Sequence, residues 1–267
     1  MLAPATGLAR TYRQLGKPPG PMPSFAEQAL RHLTPDAIDF CADDLEDYAD
    51  GDTVGSWTAR RGGLTASATG TPTYAVPDSD LGVPSVAYAA TGDRHAAGAV
   101  DWSTSNTATL LTVWYSDANT VNAGIASMSA SLASAVAIGG GLEHLLGASS
   151  GYWTPLHYPD GAGSYWLERD TIDDTGELHV TVSVHDTAAA SGADEIRGYQ
   201  DGVEIVGSTT GTSGGGASWQ STLYPVIGER GNEGLDGRLH RFIALPVALS
   251  DAQALRASRC LLYTART

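Results

Sequence analysis

Long apolar runs are missing from this chain. None approaches the ~20 residues a bilayer-spanning helix needs, and no charged stretch followed by an apolar one opens the sequence, so no secretory signal is visible. The sequence therefore predicts a protein that touches no membrane, and that stays where it is made or leaves as part of an assembly. Charge is sparse, at 17% of residues, and basic charge sparser still. Fifteen Lys and Arg stand against 30 Asp and Glu, for a net −15 over 267 residues. Such an acidic surface repels phosphate backbones and argues against nucleic acid as a partner. Cysteine is limited to Cys41 and Cys260, and no stretch matches an EF-hand loop.

What is abundant is turn chemistry. Thirty-two Gly, with many Ser and Thr, suit an all-β protein. The first 24 residues differ from the rest: Arg10, Arg13 and Lys17 occur with no acid, giving +3 and leaving −18 on the remainder. Lys17-Pro-Pro-Gly-Pro-Met-Pro excludes helix and inner strand, because proline lacks the amide donor. Leu8, Tyr12 and Leu15 are apolar residues an idle linker does not need. These residues predict a basic arm that docks on other structural proteins of an assembly, or on a second copy of the chain. Ser24 and Glu27 form a capping box for a short helix, Phe25 to Leu33, so 1–34 is read as arm plus helix and 35–267 as one domain.

Within the domain, short β-rich runs recur between turn signals: Ala37 to Ala42, Ser56-Trp57, Thr73-Tyr74, Ser85 to Tyr88 and Thr107 to Tyr115. Ala123 to Gly141 is assigned only loosely to two strands. Alternation is cleanest at 177–185. Leu178, Val180, Val182 and Val184 face the core, while His179, Thr181, Ser183 and His185 make a polar face. Asp201-Gly202 marks a hairpin, and 208–218, rich in Gly and Ser, reads as a loop.

The C-terminal stretch is the most informative. Tyr224-Pro-Val-Ile-Gly predicts a strand ended by Gly228, Asp236-Gly237 a turn, and the run to Leu245 a second strand stopped by Pro246. Ser250 with Gln253 forms a capping box that opens a closing helix. In order and spacing this stretch resembles the C-terminal signature of laminin-G-like, concanavalin A-like domains. Asp50-Gly-Asp-Thr-Val-Gly-Ser-Trp57 and Pro72-Thr-Tyr resemble their opening, and Tyr199-Gln-Asp-Gly-Val203 a central hairpin. The resemblance spans about 35–264 and implies an all-β, concanavalin A-like jelly-roll sandwich of two antiparallel sheets. It also implies close chain ends, so Cys41 and Cys260 could pair; with no oxidising route visible, two free thiols are expected.

The same fold houses glycoside hydrolases with a Glu-x-Asp-x-x-Glu strand. Glu168-Arg-Asp170-Thr-Ile-Asp173 comes near that pattern but ends in the shorter acid, so no enzyme is expected. His179 and His185 lie ~20 Å apart along a strand, too far for one metal ion. No cofactor is required, although family members bind Ca²⁺ at the sandwich rim, and Asp50, Asp52, Asp173 and Asp174 offer hard oxygen ligands in Gly-rich loops. Tyr152, Trp153, Tyr165, Trp166 and Trp219 fall in or near expected loops, where aromatic faces can stack on sugars. By analogy with accessory proteins of tailed phages, the whole predicts a virion component, such as a minor tail protein or capsid fibre, that oligomerises and meets cell-surface polysaccharide. An exported carbohydrate-binding module is the alternative, followed by a divergent glycoside hydrolase.

Overall fold

The computed structural model describes residues 36–78, 82–89, 92–118, 123–132, 141–146, 153–158, 165–168, 176–191, 194–205, 208–211, 215–230 and 233–266. The basic arm and its helix lie outside them. Two sheets face each other. The eight-stranded sheet contains β1 (Ile38–Cys41), β4 (Thr73–Ala75), β5 (Ser85–Ala89), β7 (Thr107–Ser116), β12 (Leu178–Asp186), β13 (Ile196–Gln200), β14 (Val203–Ile205) and β19 (Asp236–Leu245). Its order is β14-β13-β12-β7-β19-β5-β4, with β1 also on β19. The eleven-stranded sheet contains β2 (Ser56–Thr58), β3 (Thr65–Thr69), β6 (Arg94–Ala96), β8 (Gly124–Ser129), β9 (Gly141–Leu146), β10 (Trp153–Tyr158), β11 (Tyr165–Glu168), β15 (Ser208–Gly211), β16 (Tyr224–Ile227), β17 (Glu229–Arg230) and β18 (Glu233–Gly234). Pairing is antiparallel apart from the single Gly234–Gly124 step. Helix α1 (Asp251–Arg266) closes the chain.

The jelly-roll sandwich expected from the sequence is thus present, and it has two cores. The first lies between the sheets and gathers Phe40, Trp57, Leu110, Trp114, Trp219, Leu239 and Phe242. The second lies on the outer face of the eight-stranded sheet, under α1. There Leu111, Val113, Val180, Val182, Val184 and Ile243 meet Ala254, Ala257, Leu261 and Ala265 of the helix, an apolar stripe at helical spacing. The capping box forms as expected: Gln253 Oε1 accepts from the Ser250 amide at 2.9 Å, and the Gln253 amide donates to Ser250 Oγ at 3.4 Å. Tyr199 Oη donates to Asp251 Oδ1 at 2.7 Å and ties the start of the helix to β13.

The alternation along β12 holds, with a different meaning. The valine face packs under the helix, and the face carrying Thr181, Ser183 and His185 turns into the space between the sheets, where all three are buried. Thr181 and Ser183 meet His144 on β9, directly across, and His185 Nε2 bonds Ser183 Oγ at 2.7 Å. His144 Nδ1 bonds Thr112 Oγ1 at 3.0 Å, and Nε2 bonds Ser183 Oγ at 2.6 Å. Thr112 and Thr181 share a hydrogen bond of 2.6 Å. Trp114 Nε1–H donates to Thr181 Oγ1 at 3.2 Å. Buried hydroxyls and imidazoles are tolerated because they satisfy one another.

Two turn expectations are corrected. Asp236-Gly237 is not a turn but the start of β19, paired with Ala89 and Tyr88 of β5. Glycine is required at 237 because a Cβ there would overlap the Tyr115 carbonyl oxygen. Part of the expected loop 208–218 is β15, paired with β11. The hairpin at Asp201-Gly202 forms as read, with φ of +52° and +78°, the left-handed pair a tight two-residue turn requires.

Two outcomes follow from this packing. Val182→Asp buries an unpaired charge beneath α1 and costs several kcal/mol of a total of about 5–15, so the thermal transition should be lost, whereas Val203→Asp, at a position 66% exposed, should leave it nearly unchanged. Similar melts for the two variants would contradict the second core. Burial also drives His144 down to about 3 from its ordinary 6.5. Between those values the unfolded chain takes up a proton that the folded chain refuses, so this stability is full above pH 6.5 and is lost as pH falls toward 3. His144→Gln should flatten urea-derived stability against pH across that window; an unaltered slope would show that His144 does not contribute.

Candidate functional site

A cleft of about 520 Å³ opens at one end of the sandwich, where the start of β1, the segment 100–105 before β7, and Pro246 after β19 converge. Its volume is in the ~300–1,000 Å³ range of small-ligand sites. The sequence builds it rigidly. Val100 and Leu223 exchange backbone hydrogen bonds of 2.8 and 2.9 Å, and the Trp219 amide donates to the Ser105 carbonyl at 2.8 Å. Ser105 Oγ donates to the Pro246 carbonyl at 2.9 Å, tying the two sides together. Asp36 and Asp101 supply carboxylates to the lining, Thr104 a hydroxyl, and Ile38, Val100, Trp102 and Pro246 apolar surface. Hydrogen bonds from the Ser103 hydroxyl and amide hold the Asp101 carboxyl below the ordinary carboxylate range. It is an ionised acceptor at neutral pH, with an apolar floor beside it.

A second feature crosses the eleven-stranded sheet. Backbone register aligns Val226, Ser127, Glu143, Leu156, Trp166 and Thr210 on successive strands. Glu143 is buried there. This row places Trp166 in line with an acid that sequence reasoning had not singled out; cross-strand register, the signal that relates them, is invisible in a single chain.

The aromatic residues proposed from sequence fall into three groups. Trp153, Tyr165 and Trp166 belong to strands β10 and β11 rather than to loops, because their neighbours pair with β9 and β15. Trp219 is 1% exposed and meets His185 edge-on at 6.4 Å, so it fills the inter-sheet core and offers no face to a sugar. Tyr152 lies outside the described residues. Trp57, Trp102, Trp114 and Trp219 are all buried.

Of the acids offered for calcium, Asp173 and Asp174 lie outside the described residues, as do Asp170 and the arm residues Leu8, Arg10, Tyr12, Arg13, Leu15 and Lys17. Asp52 braces its own loop, its Oδ2 accepting from the Ala49 amide at 2.8 Å, and Asp50 ties that loop to the end of β4, its Oδ1 accepting from the Val76 amide at 3.3 Å. Cys41 and Cys260 are free thiols, as expected. Among the described residues one trio of ligand-type side chains converges, and it contains neither Asp50 nor Asp52: Cys41, Asp43 and His240, with donor atoms within 4.8 Å of one another.

No protein-family model and no curated protein sequence matches the chain. Among solved structures the fold is similar to domain 4 of AbnA, a GH43 extracellular arabinanase from Geobacillus stearothermophilus, in complex with arabinotriose. That likeness has 12% identity, covers 83% of this chain and 97% of that one, and has a TM-score of 0.58. The fold is also similar to Trypanosoma rangeli sialidase in complex with 2,3-difluorosialic acid, at 10% identity and TM-score 0.54, over 85% of this chain but only 32% of the sialidase. Identities this low establish the fold alone: a β-sandwich of the kind found in sugar-binding and glycoside-hydrolysing proteins. The expectation of a non-enzyme is corrected here. It treated the sandwich as structural or adhesive, and the same sandwich occurs within an arabinanase and a sialidase.

Proposed function

We propose that this chain is a carbohydrate-recognition sandwich whose ligand lies in the cleft between Asp36 and Asp101. The observation that carries the proposal is the likeness, over 83% of this chain, to a domain solved with arabinotriose bound. The chemistry of the cleft supports it. Asp101 and Asp36 are acceptors for sugar hydroxyls, and hydrogen bonds to charged groups are stronger than neutral ones. The apolar floor of Ile38, Val100 and Pro246 suits the C–H faces of a pyranose or furanose ring. Neutral oligosaccharides fit better than acidic ones, because a carboxylated sugar would meet two carboxylates and a chain of net −15.

The arm of 1–34 and the placement in a virion belong to the same proposal only as the means by which such a module would be arrayed; nothing in the fold or its neighbours points to a phage particle. Docking by Arg10, Arg13 and Lys17 would meet the acidic body of a second copy. Light scattering of the full chain against the chain lacking residues 1–34 checks this: an oligomer should fall to a monomer, and an unchanged mass would remove the arm from the proposal.

Calorimetric titration with arabino-oligosaccharides and a panel of neutral glycans tests recognition. The native chain should bind at least one of them, and Asp101→Asn should weaken that binding about tenfold. Equal affinity in the variant, or no binding to any glycan, would overturn the proposal. Reducing-sugar release in the same samples reports whether the bound glycan is also cleaved.

A further inference from the structure

The β19 strand carries a bulge. Leu239 pairs with Trp114 and Arg241 with Val113, leaving His240 as the extra residue between them. Bulges re-aim side chains, and this one brings the imidazole to the end of β1, where Cys41 pairs with Arg241. His240 Nδ1 lies 2.7 Å from the Pro84 carbonyl oxygen. A carbonyl only accepts, so Nδ1 carries the hydrogen and Nε2 presents its lone pair. That nitrogen is 3.8 Å from Cys41 Sγ. Asp43, in the 3₁₀ turn Ala42–Leu45 that follows β1, brings Oδ2 to 3.4 Å from the same sulfur.

These separations are those of a coordination sphere. With Zn–S of ~2.3 Å and Zn–N of ~2.0 Å, the S···N edge of a tetrahedron is roughly 3.5 Å, and the two edges measured here are 3.4 and 3.8 Å. The orienting hydrogen bond from the distal imidazole nitrogen to a backbone carbonyl is the usual support of a metal-binding histidine. We propose that Cys41 Sγ, Asp43 Oδ2 and His240 Nε2 form a zinc-type site with a solvent molecule as fourth ligand, pinning β1 and its turn to β19.

The surroundings suit a divalent cation. Asp39 is held by Arg241 at 2.9 and 2.6 Å, and Asp43 and Asp44 by Arg60 at 3.2 and 2.6 Å. Three carboxylates and a thiolate against two guanidiniums leave two negative charges for the ion to neutralise. Asp43, exposed in the trio, provides the way in. Binding replaces the Cys41 S–H bond with an S–metal bond and releases one proton to the buffer, so affinity should rise with pH.

The test uses the full chain, reduced with a phosphine, and titrated with Zn²⁺ and with Co²⁺ as its spectroscopic substitute. One Co²⁺ should bind per chain, with a near-ultraviolet thiolate-to-metal band and the intense visible bands of tetrahedral cobalt. Cys260→Ser should keep the spectrum, Cys41→Ser should lose the thiolate band, and His240→Gln should weaken Zn²⁺ at least tenfold. No binding by the native chain, or a thiolate band retained in Cys41→Ser, overturns the site. If a buried variant fails to fold by circular dichroism, the exposed Asp43→Asn decides: a tenfold loss of Zn²⁺ affinity is expected, and unchanged affinity refutes the proposal.

Discussion

The central strands β7, β12 and β19 have no face left in water, and the rest of the structure answers to that constraint. An ordinary sandwich strand hides one face and wets the other. Here α1 covers the outer face with Ala254, Ala257, Leu261 and Ala265, so every buried polar group must find its partner inside the protein. Thr112, Thr181, Ser183 and His144 do so with one another. Arg241, near the bulge, does so with Asp39 through two hydrogen bonds. The polar network joins β7 and β12 to β9, and the ion pair joins β19 to β1, so each links elements far apart in sequence.

Much of the fold was legible because its signals are local. The capping box at Ser250 and Gln253, the Asp201-Gly202 hairpin and the alternation along β12 are spacing rules, and spacing survives in a one-dimensional string. What failed to show were properties of pairing. Asp236-Gly237 carries turn chemistry, yet Gly237 is needed for close approach to the Tyr115 carbonyl within a strand. The histidines and threonines of β12 read as a polar face. Only the opposing β9, with His144, reveals that this face is interior.

The candidate sites were less legible for the same reason. The cleft draws on residues from position 36 to 246, and the Cys41, Asp43 and His240 trio spans nearly 200 residues through a bulge that no motif announces. Histidine spacing along β12 concerned only His179 and His185, and it could not reach His240. Trp219 looked like a loop aromatic because 208–218 reads as a loop, but its amide bond to Ser105 turns the ring into the core.

The claim that this sandwich recognises sugar at its Asp36–Asp101 end is tested most directly by amide chemical-shift mapping of a titration with arabinotriose. Shifts should concentrate at residues 36–38 and 100–105 and at Leu245 and Val247 beside Pro246, and saturate with one affinity. Shifts centred instead on the Ser127, Glu143 and Trp166 row of the eleven-stranded sheet, or no saturable shifts, would contradict it.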